Sequence, residues 1–529
     1  MARKKFEFPR ITPEEAGIPS GAILDLIDKS RELNIEFHSL MILRHGKVAA
    51  EMWWKPYAPD IPQHLFSFSK SLTATAIGLA ESEGLLSLDD HVEKFFPRLI
   101  KPGADPDVYS LTIRHLLAMT SGASADETNT IRQLNWAEYF LNSKFGTKPG
   151  EVFHYNSINS YMLSVIIHRA TGMSVMEYLT PRIFEPLGIE NVKWMSCPMG
   201  FDAGGWGVYL TTDQMARFTQ LYANGGLWRG RRLLPKEWVK QATSYQTDMK
   251  GFGKYDHPIE KQFGYGYQFW AAKNGMFRAD GMMGQYGFVW PEKDLVVITT
   301  AGQPIQREVL YLIYDTIFAA VDTIPEGSLP GDDYDLLNRY KTRLRLYDSQ
   351  VSPRPRTELS VTGKTYKFGL NLGSVFPLSV RYMENLPFEG FSYIRLTFKP
   401  DYCVLEWEES VYKNRVVLPL NGTLKEGTVS HSGKNYRVIG NGKWINYNTF
   451  CASVRFIETP NMTKTFFRFE KDKVHISFEE QPSFALAVKS LFNLVISSES
   501  ITSPLSRVIG KILEQNIQGT VTETPPEKF

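Results

Sequence analysis

Ser67-Phe68-Ser69-Lys70 opens a helical run, Ser67 to Ala80, that stops at Gly84. On a helix, residues three apart share a face, so Lys70 can lie beside the Ser67 hydroxyl. A serine hydroxyl is a poor nucleophile at neutral pH unless an adjacent base takes its proton. Lysine serves as that base only when burial or positive neighbours lower its pKa. The start of a helix adds backbone N–H groups that favour developing negative charge. The pattern itself is short, and the chain holds a second copy, Ser410-Val411-Tyr412-Lys413. That copy falls in a β-rich stretch, where residues three apart point to opposite faces, so it is expected to be a coincidence.

Outward from this helix, the flanking segments read as sheet. A helix is expected near Gly21–Leu33, then a hairpin of Ser39–Arg44 and Lys47–Trp53 joined by His45-Gly46. A helical, loop-rich middle runs to about Trp238, punctuated by Thr120-Ser121-Gly122, Pro186-Leu187-Gly188 and Asn224-Gly225-Gly226. Strands return at Gly266–Ala271, Met276–Ala279, Gln285–Trp290 and Leu295–Thr300, and a helix at Gln306–Val321 closes the region. Both groups of strands can share one antiparallel sheet flanked by helices, which gives an α/β architecture with a helical insert.

At 529 residues the chain is too long for one ordinary core. The expected division is an α/β domain over 1–325, a linker over 326–355, a β-rich barrel or sandwich over 356–485, and a helical or flexible tail over 486–529. The linker reading rests on Pro325-Glu326-Gly327 and Pro353-Arg354-Pro355.

Composition excludes several classes. Hydrophobic residues make up 43% and net charge is +2 without a strong basic block, so nucleic acid is not an expected partner. Cys197, Cys403 and Cys451 are too dispersed for a disulfide framework or a metal site, and the ten histidines form no ligand motif. No metal or cofactor is expected. The N-terminus lacks the apolar segment of a secretory signal, and no uncharged run reaches the ~18 residues of a membrane span. A cytoplasmic protein with no membrane partner is the expectation.

The stretch Leu65–Leu88 resembles the active-site helix of the serine β-lactamase and penicillin-binding-protein-like superfamily. The resemblance continues through Leu111-Thr112-Ile113-Arg114-His115-Leu116-Leu117-Ala118-Met119-Thr120-Ser121-Gly122 and Pro186-Leu187-Gly188. It ends with Gly205-Trp206-Gly207-Val208-Tyr209-Leu210-Thr211-Thr212-Asp213. It spans about residues 10–320 in the order of the class C β-lactamase, D-Ala-D-Ala carboxypeptidase and related esterase and amidase branch. It implies Ser67 as nucleophile and Lys70 as its partner.

The family's Tyr-x-Asn motif matches Tyr155-Asn156-Ser157, which implies proton transfer by Tyr155. Ser157 stands where asparagine is usual; its hydroxyl can donate or accept a hydrogen bond but lacks an amide's simultaneous reach.

A third motif, Lys-Thr-Gly or His-x-Gly, aligns with Arg278-Ala279-Asp280-Gly281-Met282. Gly281 fits, but Ala279 or Asp280 occupies the place of the basic residue, which in the family holds a substrate carboxylate. Arg278 is adjacent and, in a regular strand, points to the other face. The oxyanion hole implied is the N–H of Ser67 with that of Met282. Trp206 and Gly264-Tyr265-Gly266-Tyr267 are expected to line the cleft.

The β-rich region resembles accessory domains that follow this catalytic domain in some bacterial members. The function implied is hydrolysis of a small-molecule carboxylic ester or amide through a Ser67 acyl-enzyme. The alternatives are a β-lactamase or D,D-peptidase, or a non-catalytic binding protein on the same fold.

Overall fold

Apolar runs with no polar alternation form the centre of the first sheet, as expected of strands covered on both faces. In the computed structural model, which describes residues 6–249, 257–262, 264–324, 333–387, 389–409, 411–488 and 517–522, Phe37–Arg44 (β1) and Leu295–Ala301 (β7) are buried along their whole length. They pair antiparallel, with Met41 opposite Ile298 and Ile42 opposite Val297. With Lys47–Trp53 (β2), Gly264–Tyr265 (β3), Trp270–Ala271 (β4), Phe277–Gly281 (β5) and Gln285–Trp290 (β6), they make a seven-stranded sheet among the described residues. Its order is β2-β1-β7-β6-β5-β4-β3. The strand expected at Gly266–Ala271 is split: Gly266–Phe269 turn the chain between β3 and β4.

Helix α1 (Ser20–Glu32) is followed by α2 (Ser69–Ser82), α3 (Ser157–Thr171), α4 (Thr212–Ala223) and α5 (Gln306–Ile313). Helix α4 lies against β1, β6 and β7; α1 packs on α5; α2 packs on α3. Beyond α5 the expected single helix is interrupted by a π-helical turn at Tyr314–Phe318 before Ala319–Thr323. Among the described residues, no helix is long and apolar enough to cross a membrane.

The chain divides into two compact units. The first takes Ala58–Leu344 with the chain up to Trp54; the second takes residues 345–488 with Lys55–Tyr57 and the strand Ile517–Thr522. Two differences from the sequence reading follow. Tyr334–Lys341, inside the stretch read as a linker, is a helix of the first unit. Its buried Leu337 gives it an anchor that the surrounding Pro, Gly and Asp residues obscure. Ile517–Thr522, inside the stretch read as a helical or flexible tail, is a strand; Ile517 and Gly519 are buried in alternation with exposed Gln518 and Thr520. Ser410 of the second S-x-x-K pattern lies outside the described residues.

Among the described residues the second unit holds a ten-stranded antiparallel sheet: Thr365–Phe368 (β8), Phe391–Phe398 (β9), Tyr402–Glu409 (β10), Tyr412–Pro419 (β11), Lys425–His431 (β12), Lys434–Trp444 (β13), Thr449–Phe456 (β14), Met462–Glu470 (β15), Lys473–Gln481 (β16) and Ile517–Thr522 (β17). Its order, β11-β10-β9-β8-β17-β16-β15-β14-β13-β12, curls into a nearly closed barrel. The two end strands are bridged by a side chain: Asn414 Oδ1 accepts the Ser430 N–H at 2.7 Å and Asn414 Nδ2 donates to the Ser430 carbonyl at 3.1 Å. An amide side chain thus supplies one donor and one acceptor where the ladder is missing. Trp407, Leu418, Val438, Phe450 and Ile476 fill the interior.

Candidate active site

The helix that carries Ser67 begins with a 3-10 turn, Phe66–Phe68, that runs into α2. Phe66 holds the left-handed backbone, with φ 46°. This costs a non-glycine residue about 1–3 kcal/mol and is sustained by surrounding packing. Ser67 lies ahead of the first helical bond, from the Phe68 N–H to the Leu65 carbonyl. Ser69 locks the turn: its hydroxyl donates to the Phe66 carbonyl at 2.7 Å and accepts the Val208 N–H at 3.1 Å.

Lys70 is 2% exposed. Its Nζ donates to Ser67 Oγ at 2.9 Å, Ser157 Oγ at 2.9 Å and the Gly205 carbonyl at 2.7 Å. None of these acceptors is a carboxylate. Burial therefore lowers the Lys70 pKa to about 7, with the more distant Glu127 carboxylate opposing the shift. Gly205 can reach Lys70 because a Cβ there would sit 2.5 Å from the Ser157 carbonyl; only glycine lets this strap lie on the start of α3.

Tyr155 is also buried, and its hydroxyl is hydrogen-bonded to Ser67. Lys70 Nζ lies 5.0 Å from its ring centroid. Burial pushes the Tyr155 pKa up, Ser67 opposes the rise, and Asp280 and Glu127 add to it. The ring stacks on Trp270 at 5.6 Å and meets Tyr265 edge-on at 6.3 Å. Met119, Phe153 and Met249 complete this apolar wall.

Ser67, Lys70, Tyr155 and Ser157 are thus brought together. Two expected cleft residues differ. The Trp206 ring packs on Trp136 at 5.5 Å, leaving it 5% exposed; its neighbour Gly205 supplies the contact to Lys70. Tyr267 accepts a hydrogen bond from Arg114 at 2.6 Å and stacks on Trp238, while Tyr265 joins Tyr155.

The third motif sits on β5. Gly281 lies against the start of the Ser67 helix, where a Cβ would come 2.1 Å from the Leu65 carbonyl. Met282, the next residue, begins the turn that leads into β6. A substitution of Gly281→Ala must push strand and helix apart. Its expected result is a loss of ester turnover of about 10²–10³-fold, the scale of one lost oxyanion donor. Steady-state kinetics on a variant whose circular dichroism matches wild type checks it; retention of a tenth of the activity would refute the requirement for contact.

Arg278 and Asp280, two apart, share one face of β5 and bond to each other, Nε to Oδ2 at 3.0 Å. Arg278 Nη1 also meets Glu260 Oε1 at 2.8 Å, and the Tyr314 hydroxyl donates to the same oxygen at 2.6 Å. Arg278, Asp280 and Glu260 are all buried. Burial raises the Asp280 pKa to about 7, against the pull of Arg278. Ala279 lies on the Gly281 face.

Sequence reasoning missed Gly205, Glu260 and Glu127. Their partners lie 135, 18 and 30 residues away along the chain, and no local pattern marks them.

An antiparallel sheet with one strand set against a helix that carries Ser-x-x-Lys, with Tyr155 opposite, defines a protein of the serine β-lactamase and penicillin-binding-protein-like class. The family model described as Beta-lactamase matches residues 26–309, and the chain belongs to that family. The 6-aminohexanoate-dimer hydrolase of Paenarthrobacter ureafaciens is 26% identical over 290 residues, 50% of this chain and 72% of that protein. Among solved structures, the octameric penicillin-binding protein homologue from Pyrococcus abyssi is 18% identical with a TM-score of 0.46, covering 87% of this chain and 98% of its own. A family VIII carboxylesterase is 16% identical with a TM-score of 0.47, covering 60% of this chain and 100% of its own.

Proposed function

We propose that this protein is a serine hydrolase that cleaves carboxylic esters or small amides through an acyl-enzyme on Ser67. The observation that carries the reading is the Ser67 hydroxyl bonded at once to Lys70 and Tyr155. Lys70, with its pKa near 7, is the group able to be neutral at working pH; Tyr155, with its pKa raised, remains a phenol. A neutral lysine has two N–H groups and one lone pair. The Gly205 carbonyl and Ser157 hydroxyl take the two N–H groups, which leaves the lone pair for the Ser67 proton.

Ser67 Oγ then attacks the carbonyl carbon, and its proton passes to Lys70. The N–H groups of Ser67 and Met282 stabilise the oxyanion. Tyr155 donates its proton to the leaving alkoxide or amine and is reprotonated from Lys70. Water next attacks the acyl carbon, with the same groups in reverse order, and frees the acid. The relative named as a 6-aminohexanoate-dimer hydrolase supports keeping small amides beside esters.

Labelling by a fluorophosphonate on the Ser67 peptide, read by mass spectrometry, tests this. Labelling by neither that probe nor a fluorescent penicillin would favour a binding protein; labelling by the penicillin alone would favour the cell-wall reading. An ester and amide panel then ranks substrates.

A pH prediction follows. The lone pair of Lys70 exists above its pKa and is lost below it. kcat/KM for p-nitrophenyl butyrate should therefore climb about tenfold per pH unit on the acid side and level off through an inflection near 7. A flat profile between pH 5.5 and 8.5 would remove Lys70 from the role of base.

A further inference from the structure

Glu127 belongs to none of the three motifs, yet it lies against the centre of the site. It opens a short helix, Glu127–Thr130, capped by the Asp126 carboxylate, which accepts the Asn129 N–H at 2.8 Å. The segment is tied to the start of α3 by Asn156, whose Nδ2 donates to the Ala125 carbonyl at 2.6 Å while its Oδ1 accepts the Ile158 N–H at 2.8 Å. Glu127 Oε1 accepts the Ser157 N–H at 2.7 Å. A carboxylate at this place meets the first turn of a 15-residue helix, where negative charge is favoured. The side chain of the same Ser157 takes a hydrogen bond from Lys70.

We infer that Glu127 is a positioning residue of the Ser67 site: its carboxylate fixes the backbone of Ser157, and with it the Lys70 amine that Ser157 holds. This rests on the reading of Lys70 as the base. Three groups on three elements bond directly to the Lys70 amine: Ser67 on its own helix, Ser157 on α3, and the Gly205 carbonyl on the strap before residue 206. Tyr155 presents its ring, and Asp280 on β5 acts on Tyr155. Glu127 is the charged group that acts on Lys70, and it raises the proton affinity that burial depresses. The arrangement separates two jobs. Burial makes Lys70 a base at neutral pH, and Glu127 keeps the pKa from falling so far that the amine becomes too weak to take a serine proton.

The experiment compares Glu127→Gln, which keeps an acceptor for the Ser157 N–H but loses the charge, with Glu127→Ala, which loses both. Two readouts are taken on the full chain: the pH dependence of kcat/KM for p-nitrophenyl butyrate, and the titration of Lys70 followed by its 13Cε resonance in lysine-labelled protein, assigned with Lys70→Arg. In Glu127→Gln the Lys70 titration and the kinetic inflection should both move to lower pH. Activity at pH 5.5, relative to the alkaline plateau, should rise by at least about threefold. Glu127→Ala should show the same shift and, in addition, a plateau lower than that of Glu127→Gln. An unchanged Lys70 titration in Glu127→Gln would overturn the electrostatic role, and equal plateaus in the two variants would overturn the positioning role. The resonance reads Lys70 whether or not the ester is a substrate. A shifted titration with no turnover in wild type would therefore leave the inference standing and count against the hydrolase reading instead.

Discussion

Ser67→Ala should retain less than about 0.1% of wild-type ester turnover and unfold at nearly the same temperature. Loss of a covalent nucleophile costs several orders of magnitude, because what remains is only binding and the oxyanion donors. The fold has no comparable stake in the hydroxyl. Ser67 Oγ meets Lys70 and Tyr155, whereas the turn itself is locked by Ser69, through Phe66 and Val208. Removing one hydroxyl frees Lys70 from one of its three hydrogen bonds and leaves the Ser157 and Gly205 contacts in place. The check is a pair of measurements on one preparation: burst-phase kinetics with p-nitrophenyl butyrate and a melting curve. Turnover above about 1% with an unchanged melting temperature would mean that the nucleophile lies elsewhere.

What the sequence displayed and what it hid divides by range. The Ser67–Lys70 pair is three residues apart on one helix, so helical periodicity is enough to set it out. The strands β1, β6 and β7 are continuous apolar runs bounded by turns, and they fall within one or two residues of their expected limits. Tyr155 was legible only through the ordered motifs of the family. The remaining pieces depend on contacts between distant segments. Glu260 reaches Arg278 through a loop and a strand, Glu127 reaches Ser157 across the helical insert, and the Gly205 carbonyl acts through its backbone, which side-chain patterns do not report. Arg278 is the instructive case. Strand periodicity places it opposite Ala279 and on the same face as Asp280, but only the fold brings up Glu260 to claim its second edge. Ile517–Thr522 was hidden for a similar reason: a six-residue strand in a polar tail has meaning only where the barrel leaves it a place between β8 and β16.

That arginine decides the substrate prediction. Neutral short-chain esters such as p-nitrophenyl acetate or butyrate should exceed penicillins and D-Ala-D-Ala peptides in kcat/KM by at least about 100-fold. In the wider superfamily the third motif offers a cation to a substrate carboxylate; here the position carries Ala279 and Asp280, and the neighbouring Arg278 is spent on Glu260 and Asp280. A carboxylate-bearing substrate would meet a buried acid rather than a base. Loss of an ion pair at a partly buried site costs about 2–5 kcal/mol, and about 1.4 kcal/mol is one decade, so the missing cation alone accounts for about 1.4–3.6 decades, a range that contains the two decades expected here. Asp280→Asn tests the cause. It removes a carboxylate that is ionised above its pKa near 7 and leaves Arg278 bonded to Glu260, so above pH 7 the gap should narrow several-fold, through KM for the carboxylated substrate rather than through kcat for the ester. An unchanged ratio in Asp280→Asn would mean that cleft shape, not charge, rejects the carboxylate. A wild-type enzyme that opens a β-lactam faster than any simple ester would mean that Arg278 leaves Glu260 and Asp280 when substrate arrives, and that the buried network at Glu260 is a reservoir for the missing cation.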